Sequence, residues 1–183
     1  MSHKLEIVDE NDKVIGIEER EVMHKKGLLH REIHVWFYTP KGEIVFQKRA
    51  SDKDTFPGLL DATVGGHVEI GDSYIKTAIK ETQEETGIKL KENDFEFLRM
   101  MRRRHVDKVT DKVNDCIGAV YVYKFEGDLK DLQVEEGAAT GFETWPVDKI
   151  LSLTDEEKKK FIIYLVTGEM LEIFEEIKKK IRY

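Results

Sequence analysis

Glu81, Glu84 and Glu85 stand at positions i, i+3 and i+4 of the stretch KETQEETGI. In a helix that spacing puts three carboxylates on one face. Like charges at these separations repel by about 0.2–0.5 kcal/mol per pair. In the C-terminal half of a helix they also meet the negative end of the dipole. A divalent cation that prefers oxygen ligands, Mg²⁺ or Mn²⁺, turns this repulsion into binding. The glutamates alone would read more readily as a solvated face. What precedes them tips the balance, because Gly65-Gly66 follows an apolar stretch and lets the backbone approach a phosphate closely.

The pattern around the glutamates is helical from Ser73 to Thr86, with Asp72 or Ser73 as the cap and Gly87 at the end. Ile75, Ala78, Ile79 and Thr82 form its core stripe, and Lys76, Lys80 and Gln83 face outward. The carboxylates flank the buried face.

The segment GGHVEIGDSYIKTAIKETQEETGI resembles the Nudix box: Gly, five residues, Glu, seven residues, then Arg-Glu-hydrophobic-any-Glu-Glu-any-Gly-hydrophobic. Gly66, Glu81, Glu84, Glu85, Gly87 and Ile88 match in place, as do Glu69 and Gly71 of the loop. Asp72 stands where the pattern has Glu, Lys80 where it has Arg, and Thr82 where it has an aliphatic residue. The resemblance implies an α/β (α+β) Nudix fold, a mixed β-sheet sandwiched between helices, and a metal-dependent hydrolase of diphosphate linkages. It implies that Glu84 and Glu85 bind the metal with help from the Gly65 carbonyl. Glu81 is then a further ligand or the base acting on water, and Asp72 and Lys80 pair to orient the loop. Gly66 and His67 would meet the substrate. Glu135 and Glu136 are candidates for an acid outside the box, although loop surface is the plainer reading.

A longer stretch, VIGIEEREVMHKKGLLHREIHVWFY followed by QKRASDKDTFPGLLDATVGGHVEIGDS, is similar to isopentenyl-diphosphate isomerases and their nearest hydrolases. Those isomerases use a cysteine just before the box glycine. Here Gly65 occupies that place and the lone Cys116 lies in another segment, which favours hydrolysis. The isomerase-like protein and a non-catalytic ligand-binding module are the alternatives. This branch also implies a second divalent-metal site of His24, His30 and His67, with Asp115 as its carboxylate and His34 as a weaker candidate. Arg49, after a strand, is placed to meet a substrate phosphate, and reads equally as a surface salt-bridge partner. Arg102-Arg103-Arg104-His105 with Lys108 forms a basic patch in an acidic chain, either a phosphate receiver or a solvated hairpin tip. Trp36, Phe56 and Trp145 could stack on a base, with core packing the safer reading.

Positioning these groups requires strands. Alternation and turn residues predict strands over Lys4–Val8, Val14–Ile17, Glu32–Tyr38, Glu43–Lys48, Leu60–Val64, Phe95–Arg102 and Asn114–Phe125, with a short helical connection over Glu18–Lys26. A capping box at Thr154–Glu157 opens a C-terminal helix, and Gly168 interrupts it before a last one. With 183 residues, 40% of them hydrophobic and 37% charged, the chain reads as a single domain, 1–183, with an N-terminal β-hairpin extension (1–30) and C-terminal helices (154–183). A net charge of −7 argues against a nucleic-acid polymer as partner and leaves a small phosphorylated substrate. One cysteine allows no internal disulfide, and the longest apolar run, Phe161–Val166, is too short for a membrane span. These features point to a cytoplasmic protein without membrane association, with a homodimer kept open.

Overall fold

The computed structural model describes residues 3–53, 56–107 and 110–181. The chain opens with the hairpin β1 (Lys4–Val8) and β2 (Val14–Glu19), followed by α1 (Arg20–Lys26). Then come β3 (His30–Tyr38), β4 (Glu43–Arg49), β5 (Leu60–Asp61), β6 (Val64–His67) and α2 (Tyr74–Thr86). The long strands β7 (Glu96–Val106) and β8 (Val113–Lys124) precede β9 (Ala139–Pro146). Three helices close the chain: α3 (Val147–Ile150), α4 (Asp155–Lys158) and α5 (Met170–Ile181).

The nine strands make one mixed sheet that branches at β3. Its first half pairs antiparallel with β6, its last residues pair antiparallel with β4, and its whole length runs parallel to β8. Alternation along β3 serves two cores. Ile33, Val35 and Phe37 pack on the face covered by α2, with Val64, Val68 and Ala78. Trp36 packs on the opposite face with Phe46, Phe161 and Phe174 of the C-terminal elements. The sheet is therefore sandwiched between helices. In α5, Met170, Ile173, Phe174 and Ile177 are buried. Each such apolar side chain contributes about 1.5–3 kcal/mol through burial.

The expected Leu60–Val64 strand is in fact two short strands, β5 and β6. The capping box at Thr154 forms, but its helix lasts one turn. Phe161 is drawn into the core and bridges to Leu60, which pulls the chain out of helical register. β9 and α3 were not anticipated. β9 carries mostly half-exposed and exposed residues, and its order comes from pairing with β4 along its length.

Candidate functional site

The α2 helix begins at its Ser73 cap, whose side chain accepts from the Lys76 N–H, and ends at Gly87 with φ 73°. Thr77, Ala78, Thr82 and Thr86 anchor it, so hydroxyl-bearing residues replace much of the expected aliphatic stripe. The Thr86 hydroxyl donates to the Thr82 carbonyl at 2.6 Å. This orientation brings Glu85 beneath the sheet edge, where Gln47 Nε2 donates to it at 3.0 Å and the Gly65 N–H at 3.4 Å. Glu81 lies against Gly66, and a β-carbon there would sit 2.6 Å from Glu81 Cγ. Glu84 is exposed.

Burial, then the neighbouring Glu84, pushes the Glu81 carboxyl up to about 7. Burial, followed by Glu81 and Asp61, pushes Glu85 well above the usual carboxylate range, against the opposing pull of Gln47 and Gly65. This is an excess of negative charge that the protein's own cations do not neutralise, and an oxygen-seeking divalent cation fits it.

Asp72 and Lys80 are not paired. Lys80 Nζ lies 2.6 Å from Glu69 Oε1, whereas Asp72 takes Lys76 at 2.5 Å. The short aspartate finds its partner one helical turn away, and Glu69 supplies the carboxylate that joins the loop to α2.

His24 of α1, His30 at the start of β3 and His67 at the end of β6 lie side by side. One ligand nitrogen from each comes within 4.8 Å of the others. Among the described residues no other three histidine, cysteine or carboxylate groups are so close, so the three glutamates stand further apart. His24 Nε2 and His67 Nε2 are 3.2 Å apart. The His30 Nδ1 lies 2.9 Å from the Leu28 carbonyl, and its Nε2 is buried with no hydrogen-bond partner. Burial, with His30 and Arg20 adding to it, lowers His24 to about 4 and also lowers His67. Three clustered imidazoles, one with a buried nitrogen that has no partner, fit a borderline divalent ion.

Asp115 does not belong to this trio: its carboxylate is engaged by Arg102 and Arg104. Nor are the arginines a free basic patch. Arg103 points inward, buried, to pair with Glu32 and His34 over Gly118, where a β-carbon would collide with its guanidinium. Burial alone would raise the Glu32 carboxyl, but Arg103 and His34 hold it below the usual range. Lys108 lies outside the described residues. His34 is buried beside Arg103 and apart from the trio.

One cavity of about 830 Å³ is lined by His24 and His67 of the histidine trio and by Gly65, Gly66 and Glu85. His3, Glu19, Arg20 and Val22 complete one wall, so the segment before β3 is part of the cavity. Arg49, Lys53 and Lys112 bring positive charge, and Arg49 is held by Asp61 at 2.9 Å. Glu135 also lines the cavity and acts electrostatically on Glu81. Trp36 is core, and Trp145 packs against Phe161, but Phe56 lines the cavity. Sequence reading overlooked Gln47, Glu32, Asp61 and Tyr164. The one available signal was the polar alternation of His30, Glu32 and His34 within an apolar strand.

The family model for the NUDIX domain matches residues 28–165. An uncharacterized Nudix hydrolase of Clostridium acetobutylicum is 28% identical over 157 residues, covering 84% of this chain and 74% of that protein. Nudix hydrolase 3 of Arabidopsis thaliana is 28% identical over 163 residues, which is 86% of this chain and 21% of that protein, so the chain spans about a fifth of that relative. The crystal structure of DR0079 from Deinococcus radiodurans shares the fold with a TM-score of 0.68 and 19% identity, covering 95% of this chain and 98% of that one. No described helix is long and apolar enough to cross a membrane. With the family match spanning most of the chain and Gly66 and Glu85 of the box lining the cavity, the chain belongs to the Nudix hydrolase family.

Proposed function

We propose that this protein hydrolyses a diphosphate linkage in a nucleoside diphosphate derivative or a related small molecule, with Mg²⁺ or Mn²⁺ held at Glu81, Glu84 and Glu85. The observation that carries this reading is the placement of Gly65, Gly66 and Glu85 on one cavity, with Glu81 packed against Gly66. When bound, the metal would supply electrophilic polarisation of the phosphoryl group and offset the charge of the leaving phosphate. Glu84 and Glu85 hold it, with the Gly65 carbonyl. Glu81, whose carboxyl titrates near neutrality, accepts a proton from the attacking water or joins the ligand set. Gln47 orients Glu85 through its 3.0 Å hydrogen bond. Arg49, with Gly66 and His67, receives substrate phosphate oxygens.

The histidine trio fits a second, softer divalent ion, and it is the feature that favours a place beside the isopentenyl-diphosphate isomerases. Isomerisation itself is the second reading. It is weakened because Cys116 is fully buried and Gly65 stands at the cavity. The reading extends to a single-domain cytoplasmic enzyme, which the lone free thiol supports, and to a substrate other than a nucleic-acid polymer, which the net charge of −7 supports. A panel of nucleoside triphosphates, dinucleotides, ADP-sugars and prenyl diphosphates, assayed with Mg²⁺ or Mn²⁺, tests it. Release of phosphate or nucleoside monophosphate supports hydrolysis, whereas allylic isomerisation without phosphate release supports the second reading. Binding without turnover overturns both.

A further inference from the structure

Strand β5 is two residues long, Leu60 and Asp61, yet it is fixed on both sides. On one side Leu60 and Asp61 pair with Lys48 and Gln47 of β4, and the Arg49 N–H donates to the Leu59 carbonyl at 3.0 Å. On the other, the Leu60 N–H donates to the Lys160 carbonyl at 2.8 Å, and the Ile162 N–H to the Leu60 carbonyl at 3.0 Å. Strand β9 holds β4 as far as Arg49, which pairs with Ala139. Asp61 and Arg49, whose side chains line the cavity, therefore rise from backbone with little freedom. Both carboxylate oxygens of Asp61 are engaged: Oδ1 accepts from the Ala62 N–H at 2.8 Å and Oδ2 from Arg49 Nη1 at 2.9 Å. The Asp61 and Arg49 side chains are only 20% and 18% exposed, so solvent screens the pair weakly. Beside Asp61 across the ladder stands Gln47, which donates to Glu85 at 3.0 Å. After burial and Glu81, Asp61 is the next influence that raises the Glu85 carboxyl, which puts the two acids within electrostatic reach of each other.

We propose that Asp61 is a positioning residue: it holds the Arg49 guanidinium at a set distance from Glu85, so that a phosphate on Arg49 meets a metal held by the glutamates. This rests on the hydrolase reading above and adds the residue that sets the spacing between its phosphate-binding and metal-binding groups. By charge alone, a carboxylate on this wall opposes an anionic substrate. Acting through Arg49, it does the reverse. A guanidinium presents five donors in a rigid fork, so one edge can be anchored by a carboxylate while another receives phosphate oxygens. Anchoring removes rotamer freedom before the substrate arrives, so less is lost on binding. The cross-strand pair of Gln47 and Asp61 then carries both halves of the alignment, Gln47 toward Glu85 and Asp61 toward Arg49. The role of a metal ligand suits Asp61 less well, because both its oxygens already accept hydrogen bonds from the protein.

The test is calorimetric titration of imidodiphosphate, a non-hydrolysable diphosphate, into protein saturated with Mg²⁺, and of Mn²⁺ alone into metal-free protein. The wild type is compared with Asp61→Ala, Asp61→Asn, Arg49→Met and the double variant Asp61→Ala with Arg49→Met, each checked for folding by thermal melting. Asp61→Ala should weaken imidodiphosphate binding about ten-fold, the scale of one hydrogen bond to a charged group. Asp61→Asn, which keeps an oxygen for Arg49, should recover part of that loss, and Mn²⁺ affinity should stay near that of the wild type. In the Arg49→Met background Asp61→Ala should cost nothing further, because the residue acts through Arg49. If Asp61→Ala does not fold, Asp61→Asn carries the same comparison with a smaller loss that also vanishes in the Arg49→Met background. Tighter imidodiphosphate binding in the Asp61 variants, as expected of a carboxylate that only neutralises Arg49, would overturn the proposal. So would an unchanged affinity, an equal loss for Mn²⁺, a loss that persists without Arg49, or a wild type that does not bind imidodiphosphate. Metal-dependent phosphate release that is indifferent to the Asp61 variants would leave the hydrolase reading standing and remove this inference alone. The expected binding pattern in a protein without turnover would keep the link between Asp61 and Arg49 and remove the hydrolase reading.

Discussion

The Lys80 ammonium lies 2.6 Å from the Glu69 carboxylate, so the outward face of α2 is tied to the loop that follows Gly65-Gly66. The link passes through Glu69, not through Asp72, which is occupied with Lys76. Both groups are partly exposed, and such pairs contribute about 0–1 kcal/mol to stability. The value of the link lies in holding the loop at a fixed distance from Glu81 and Glu84.

Lys80→Met and Glu69→Gln should therefore lower turnover by roughly 10–100-fold, the scale of a small misplacement of reacting groups, with melting temperatures little changed. Lys80→Arg should retain activity, as should Asp72→Glu combined with Lys80→Arg. Steady-state kinetics beside thermal melts separate the two effects. Full activity in Lys80→Met would remove the positioning role.

The two glycines of the loop should behave differently. A β-carbon at Gly66 would lie 2.6 Å from Glu81 Cγ, whereas one at Gly65 would meet the His34 ring at 3.4 Å and the Ile33 carbonyl at 3.8 Å, ordinary contacts. The glutamate side chain can swing aside, so Gly66→Ala should fold. Its turnover should fall roughly 100-fold because Glu81 is displaced. Gly65→Ala should cost far less. Equal activities for the two variants would contradict the assigned place of Glu81.

The N-terminal hairpin is clamped to the α2 entrance by Arg31, which reaches Asp12 at 2.6 Å and Glu6 at 3.2 Å. Tyr74 donates its hydroxyl to Asp12 at 3.1 Å, and the Gly71 N–H donates to Glu6 at 3.3 Å. Arg31→Met leaves two partly buried carboxylates without their cation and should destabilise the protein by about 1–2 kcal/mol in urea unfolding. A loss below about 0.5 kcal/mol, the range of ordinary surface substitutions, would show that the hairpin is not held this way.

His67→Ala tests the softer metal site. Protein purified without a histidine tag should bind Zn²⁺ or Mn²⁺ at the trio, and the variant should bind at least about ten-fold more weakly, since one of three imidazole ligands is removed. Equal affinities in wild type and variant would remove the site.

Much of this arrangement was legible because its signals are local. Glu81, Glu84 and Glu85 declare themselves by spacing, the α2 ends by Ser73 and Gly87, and β3 and β8 by apolar runs. What sequence left open depends on partners far apart in the chain. Gln47 matters only because β4 passes beside Glu85. Asp115 stands at a plausible register for the histidines, yet β7 presents Arg102 and Arg104 to it first. β9 has little alternation of its own and is ordered by β4. Phe56 reads as core until the loop is seen to bring it to the cavity.

The most direct measurement is the turnover of Glu84→Gln and Glu85→Gln on a diphosphate substrate in Mg²⁺ or Mn²⁺, set against thermal stability in chelator. Glu85 has its carboxyl pushed up by burial and by Glu81 and Asp61, so its stabilising contribution is present at low pH and is lost as pH rises through its raised value. A neutral glutamine keeps the partners Gln47 and Gly65 and removes a carboxylate whose ionised form burial disfavours, so melting temperature should hold or rise. Turnover should fall by about two orders of magnitude or more, as expected when a metal ligand is lost, and wild-type turnover should vanish with chelation. Full activity in either folded variant, or activity that survives chelation, would contradict the assignment of these glutamates to a catalytic metal.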